Sequence, residues 1–349
     1  MPLSESQLSD TFAEPLHELA GGGSPILTTL VGGASLRRYH RALIPGGNPQ
    51  SIVVMELGDD RRSEEIAHSG VPSELPFVNV LRYLEAGRIA VPRLLAYDEP
   101  RGLLYLEDLG DVTFESRVVT APPDHQRTWY RLAIDALLGL QRYAAAHPSG
   151  CIAFSRGFDL KLLEWELHHF LEWGLVIGVG AQITSSETDE IKRHFLAIAE
   201  QLAAEPRVFV HRDFQSRNLM VQESPAGPRL RLIDFQDALM GTYAYDLVAL
   251  LRDSYVVLPP QLVTEFVEYY AAGAALDPIA FRRLFDLQTV QRKLKDAGRF
   301  VFIDRVKKNP DFLQHIPSSH AYVAAALSRL PSLAPLQEIL SRYIPALMG

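Results

Sequence analysis

Two short apolar runs interrupt an otherwise helical second half of this chain, and each ends by delivering an aspartate. Val208-Phe-Val210 leads into His211-Arg212-Asp213, and Arg231-Leu-Ile233 leads into Asp234-Phe235-Gln236-Asp237. Asn218 lies five residues after the first aspartate, and Asp234 lies 21 after it. Brief β-branched and aromatic runs bounded by polar residues read as strands. The spacing therefore predicts strand, polar loop, strand and a second loop, with two carboxylates and one amide on adjoining hairpins.

Phosphoryl transfer uses such parts. A carboxylate orients the attacking hydroxyl, and hard oxygen ligands hold Mg²⁺ against nucleotide phosphates. Asp213 is the expected catalytic residue, with Asn218 and Asp234 as metal ligands. The plainer reading is a polar hairpin whose acids are merely solvated. It would account for a lone His-x-Asp, but the joint pattern His-x-Asp-x-x-x-x-Asn followed by strand-Asp-Phe is much rarer by chance. His211 is expected beneath the loop, with a role at the substrate as the sharper alternative. Asp237 either joins the metal through water or caps a turn. Asp246, opening the run Leu247–Leu251, reads as a buried brace for the loop or a helix N-cap.

Bulk properties exclude several classes. The 349 residues are 47% hydrophobic and 22% charged, with a formal net charge of −8, which suits a globular enzyme with a full core. No Lys/Arg run exceeds two residues, so neither nucleic acid nor an anionic membrane is an expected partner. Cys151 is the only cysteine, which excludes an intramolecular disulfide. The first ten residues lack a signal-peptide pattern, no apolar run reaches membrane-spanning length, and the expected location is the cytoplasm.

The first hundred or so residues read mostly as strand. Ile26–Leu30, Leu36–Leu43 and Ser51–Met55 form an expected antiparallel meander with a turn at Pro45–Pro49. A helix spans 77–87 with Gly87 as its stop, and two strands follow at 91–97 and 102–107. After a hinge near 107–111 the pattern becomes helical, at 124–146, 160–173, 188–204 and from Tyr245 onward, with breaks at Pro259-Pro260, Pro310 and Pro317. The expected fold class is α+β and bilobal. A small antiparallel sheet forms an N-lobe over 1–108, and a mostly helical C-lobe carrying the catalytic hairpin covers 109–349.

Between two expected strands, Gly32-Gly33-Ala34-Ser35-Leu36-Arg37-Arg38 would let backbone N–H groups approach phosphate oxygens, with Ser35 and an arginine adding donors. A Gly-Gly turn is also commonplace between strands, and no Walker Gly-Lys-Ser/Thr occurs. Glu107-Asp108-Leu109 ends the last N-lobe strand, where backbone at Glu107 and Leu109 would hold the adenine edge of ATP. Glu164, Trp165, Glu166, His168, His169 and Trp173 crowd one helix, a mixture that suits sugar binding, although such spacing is also common in cores. Glu166, His211, Arg212 and Gln236 are the expected acceptor contacts.

The segments H-R-D-F-Q-S-R-N-L-M-V and L-I-D-F-Q-D-A-L-M-G-T-Y-A-Y-D-L resemble the aminoglycoside phosphotransferase and choline kinase superfamily, which is related to protein kinases. G-G-A-S-L-R-R-Y-H, L-Y-L-E-D-L-G-D and D-F-Q-D-A resemble, more narrowly, the bacterial anomeric kinases of N-acetylmuramate and N-acetylglucosamine. The resemblance implies a protein-kinase-like fold, ATP and Mg²⁺, and phosphorylation at C1 of an amino sugar in cell-wall recycling. It places the catalytic Asp at Asp213 and the metal ligands at Asn218 and Asp234. There is one departure: Met55 stands where the family's phosphate-pairing lysine is expected, and Arg37 or Arg38 is the expected substitute. Rival readings are a kinase of aminoglycosides, choline or another small alcohol, and a non-catalytic nucleotide-binding pseudokinase. Arg292, Lys293, Lys295, Arg299 and Arg305 near the C-terminus favour a neutral or anionic acceptor over a polycation.

Overall fold

The computed structural model describes residues 5–30, 37–57, 74–225 and 227–348, with side chains from residue 12 onward. In chain order, helix α1 (Glu5–Ala20) precedes strands β1 (Ile26–Leu30), β2 (Arg38–Leu43) and β3 (Ser51–Glu56). Helix α2 (Pro76–Ala86), strands β4 (Leu94–Asp98) and β5 (Leu103–Glu107), and helices α3 (Phe114–Val119), α4 (Pro123–Ala146), α5 (Leu160–His169) and α6 (Ser185–Ala204) follow. Four short strands come next: β6 (Arg207–Val210), β7 (Leu219–Gln222), β8 (Arg229–Leu232) and β9 (Leu239–Thr242). The chain ends in α7 (Ala244–Leu251), α8 (Pro260–Gly273), α9 (Pro278–Lys307), α10 (Ile316–Leu327) and α11 (Ala334–Tyr343). These elements fall into two compact units, one of residues 1–112 and 220–236, the other of 113–219 and 237–349.

In the first unit, the described residues form a five-stranded antiparallel sheet in the order β1-β2-β3-β5-β4. The expected meander is its first three strands. Phe12 and Leu16 of α1 pack onto Ala42, Ile52, Val54, Leu103 and Tyr105. Fully burying a Phe or Leu side chain contributes roughly 1.5–3 kcal/mol, so this helix is an integral layer of the unit. Strand alternation sorts the sheet's faces: His40, buried beside Phe12, leaves Tyr39 and Arg41 for the opposite face. The β7–β8 hairpin completes the unit. Val221 N–H donates to Val112 O at 2.8 Å and Leu232 N–H to Ala90 O at 2.7 Å.

The second unit is mostly helical around Leu163, Leu167, Phe170, Phe195, Val290 and Leu294. The expected helix over 160–173 is α-helical only to His169, and residues Phe170–Gly178 wind as a π-helix. The winding changes where α9 crosses. A Cβ on Gly298 would lie 2.8 Å from Phe170 Cα and 3.2 Å from His169 O, so only glycine allows that approach. Pro317 does not break a helix; it sits in the first turn of α10, where a missing N–H costs nothing. Cys151 is buried, and burial pushes its thiol up to about 11, which makes it a packing residue. Among the described residues no helix is long and apolar enough to cross a membrane.

Candidate active site

Strand β6, paired with β9, brings the His211-Arg212-Asp213 loop out of the core of the second unit. Arg212 adopts φ 79°, a left-handed region that costs an ordinary residue about 1–3 kcal/mol. Asp246 holds it there. This fully buried carboxylate of α7 accepts His211 N–H at 2.7 Å and Arg212 N–H at 2.9 Å. Burial pushes the Asp246 carboxyl up to about 7, against the pull of those two N–H groups and the Arg292 guanidinium. Asp246 is thus the expected brace.

Arg292 of α9 locks the same loop from another side. Its Nη1 donates to Arg212 O at 2.8 Å, its Nη2 lies 3.6 Å from Asp213 Oδ1, and its guanidinium rests 4.5 Å from the centre of the Tyr245 ring. The Asp213 side chain remains 34% exposed and thus accessible to a substrate hydroxyl. Further along the loop, Ser216 N–H donates to Asp253 at 2.8 Å. Asn218 Nδ2 donates to Asp213 O at 2.9 Å, which commits its nitrogen and leaves Oδ1 as the atom to face a cation. Asp253 and the orienting contact of Arg292 are absent from the sequence reading. Position in the chain gives no signal for either beyond an acid after an apolar helix and a basic cluster far downstream.

The expected acceptor contacts Glu166, His211 and Arg212 are all enclosed. Glu166 accepts from Gln291 Nε2 at 2.6 Å and lies 3.8 Å from the Arg212 guanidinium. His211 is wholly buried with its ring edge-on to Phe214. Burial leaves these three to shape and charge the site from behind. Beside them, Lys293 donates to Asp296 at 2.7 Å, and Lys295 lies 3.3 Å from the same carboxylate. Burial opposes charge on Asp296, but Lys293, Lys295 and Arg292 outweigh it and hold this carboxyl well below its usual range. Trp165 stacks on His169, which leans on Trp173 and Phe302, while Glu164 faces His168 one turn away. Asp237 lies within the field of Arg156.

The first unit carries the residues expected around the nucleotide. Gly33, Ala34 and Ser35 lie outside the described residues. Arg37 hydrogen-bonds the Tyr39 phenol, and the charge of Asp234 reaches the same hydroxyl. Desolvation, outweighing Arg37, raises that phenol above its usual range. Arg38 is exposed and pairs in register with Glu56. Met55, directly across from Tyr39, is fully buried, so β3 supplies no charge at that position. Asp234, exposed at φ 64°, accepts from Gln236 Nε2 at 2.9 Å, and the buried Gln236 is therefore placed to orient it. Phe235 packs on Phe77 with ring centres 5.0 Å apart, which anchors the segment.

The carboxylates that close β5 are engaged within the unit. Glu107 accepts from Arg231 Nη2 at 2.6 Å and lies 3.4 Å from Arg93. Burial raises its carboxyl, but the Arg231 hydrogen bond and the Arg93 backbone N–H outweigh that and lower it overall. Asp108 takes two bonds from Arg41, at 2.7 and 3.0 Å, and one from Ser51. Those side chains therefore tie strands together, and Leu109 beside them is half-buried.

A model of the phosphotransferase enzyme family matches residues 27–284. The N-acetylmuramate/N-acetylglucosamine kinase of Pseudomonas aeruginosa is 33% identical over 315 residues, covering 88% of this chain and 86% of that protein. The kinase of the same name from Pseudomonas putida is 32% identical over 344 residues, covering 97% and 93%. Among solved structures, an aminoglycoside phosphotransferase bound to gentamicin is similar with a TM-score of 0.55 at 15% identity, covering 91% of this chain and 96% of that one. Choline kinase from Cryptosporidium parvum gives 0.53 at 13% identity, covering 97% and 98%. These likenesses are to the protein-kinase-like fold, with its small antiparallel sheet and mostly helical remainder.

Proposed function

The chain belongs to the phosphotransferase enzyme family, and from that membership we propose that it transfers the γ-phosphate of ATP to the anomeric hydroxyl of N-acetylmuramate or N-acetylglucosamine. It is an enzyme whose acceptor is an alcohol group. The sugar reading draws on relatives named for these substrates, whose lengths the chain spans almost fully. The proposed place of that reaction is the cytoplasm, in cell-wall recycling.

One observation carries the mechanism: Asp213 is the accessible carboxylate on a loop clamped by Asp246 and Arg292. The C1 hydroxyl donates its hydrogen to Asp213, which aligns the oxygen with the γ-phosphorus. As the O–P bond forms and the bond to the β-phosphate oxygen breaks, the proton passes to the carboxylate. With a loose transition state, orientation counts for more than basicity. An anomeric hydroxyl is also more acidic than an ordinary alcohol.

Asn218, through Oδ1, and Asp234, through its exposed carboxylate, are the residues suited to hold Mg²⁺, and each has the hard oxygen that ion prefers. When bound, the ion neutralises charge on the transferring phosphates. Arg37 is the proposed replacement for the lysine missing at Met55, and backbone at 33–35 and 107–109 is the proposed grip on the nucleotide. Glu166, Arg212 and His211 support the acceptor side, and Gln236 supports Asp234.

The test is Mg·ATP turnover on N-acetylmuramate, N-acetylglucosamine, glucose, choline and kanamycin, with ³¹P NMR of the product. A sugar 1-phosphate is expected, and Asp213→Asn should lower kcat about 10²- to 10⁴-fold. Turnover confined to choline or kanamycin would reject the sugar reading while leaving the catalytic loop's role intact.

A further inference from the structure

Arg212 of the Asp213 loop and Arg292, Lys293 and Lys295 of α9 lie in the second unit, and the first three are already committed. Arg212 is 4% exposed and faces Glu166. Arg292 is 3% exposed and is occupied by Arg212 O, Asp213 and the Tyr245 ring. Lys293 is 2% exposed and donates to Asp296 at 2.7 Å and to Ser254 Oγ at 3.2 Å.

Lys295 differs. Its side chain keeps 12% exposure, and among the described residues its ammonium has one ion-pair partner, Asp296 at 3.3 Å. An ammonium carries three donors, so at least two N–H groups remain to be satisfied. Asp296 is shared with the better-placed Lys293, so Lys295 has the weaker hold on that carboxylate. The acids and the Tyr245 phenol around Lys295 hold it protonated despite its burial.

Its position also fits an acceptor. Lys295 follows Arg292 by three residues on α9, about 4.5 Å of axial rise, and residues so spaced share a helix face. Arg292 touches the carboxylate that would bind the reacting hydroxyl. Lys295 is thus the partly exposed cation that lies nearest along α9 to the guanidinium contacting Asp213.

We propose that Lys295 is the specificity-determining residue for an acidic acceptor, its ammonium pairing with a carboxylate carried on the sugar's third carbon. The inference rests on the amino-sugar reading above. N-acetylmuramate differs from N-acetylglucosamine by a lactyl ether at C3, two ring positions from C1, and that ether bears the carboxylate. Lys295 therefore favours the acid over its neutral counterparts.

The experiment measures kcat/KM on N-acetylmuramate, its methyl ester and N-acetylglucosamine for the wild type, Lys295→Met and Lys295→Arg, with thermal melts of each. The loss on N-acetylmuramate in Lys295→Met is expected to exceed the loss on the two neutral sugars by about 10- to 100-fold, the range of a charge-assisted hydrogen bond. Lys295→Arg should restore most of the difference. Equal losses on all three sugars, or none, would overturn the inference and leave the amino-sugar reading standing. Should Lys295→Met not fold, the wild type alone decides: its preference for the acid over the ester is expected to be about tenfold or more, and a ratio near one overturns the inference. A wild type silent on all three sugars would overturn the amino-sugar reading and this inference with it.

Discussion

Met55 is buried on β3, directly across from Tyr39, and a buried thioether supplies no charge to a phosphate. Under the proposed function the phosphate-pairing cation comes from elsewhere, and within the first unit Arg37 is the arginine bonded to Tyr39, a phenol that also feels Asp234. Arg37→Met is expected to raise KM for ATP about tenfold, the loss of one charge-assisted contact, with a smaller change in kcat. Arg38→Met should have the lesser effect of the two. Steady-state kinetics at varied ATP check this, and a larger effect at Arg38 would reverse the assignment. At this scale the sequence is legible in placement: Asp213 and Asn218 lie between β6 and β7, and Asp234 follows β8, as their spacing predicts. It is silent where tertiary packing makes the contact. Arg292 lies 80 residues from the carbonyl that it binds, and no local pattern announces that pairing.

Among the elements, α6 begins earlier than its apolar pattern alone indicates, because Thr184 and Glu187 form a capping box. The Thr-x-x-Glu spacing was a readable signal. Hydrogen bonds from the Thr184 hydroxyl and backbone, then from Tyr343, hold the Glu187 carboxyl down to about 2 from 4.5. A folded value below the unfolded one means that this contribution is complete above about pH 4.5 and is lost as pH falls toward 2. Glu187→Gln should therefore flatten the fall in Tm between about pH 5 and pH 2.5, and parallel curves for the two proteins would refute the linkage. Other elements were legible to differing degrees. Strands β1, β3 and β5 and helices α2 and α4 follow their patterns closely. Helix α1 has no clear sequence mark, because Pro15 and a polar start obscure the stripe of Phe12, Leu16 and Leu19. The π-helix after α5 depends on the close passage of Gly298, which no pattern within α5 records.

For the whole molecule, the first unit is drawn from two stretches of chain, 1–112 and 220–236. The shift from strand to helix near residue 108 is visible in composition, whereas the return of 220–236 to the first unit is a long-range pairing with no local mark. That return supplies Arg231 to Glu107, Phe235 to Phe77, and backbone bonds to Ala90 and Val112. A fragment of residues 1–112 is accordingly expected to lack a cooperative thermal transition by circular dichroism, since the half-buried Glu107 loses its Arg231 hydrogen bond and Phe77 its cover. A sharp melt from that fragment would show the second stretch to be dispensable. The same connectivity bears on biosynthesis. Residues 113–219 must leave the ribosome before the missing hairpin is made, which at about 5–20 residues per second takes roughly 5 to 20 seconds. Throughout that wait the nascent chain displays an unfinished apolar surface, so the pace of translation through the second unit helps set the yield of the first.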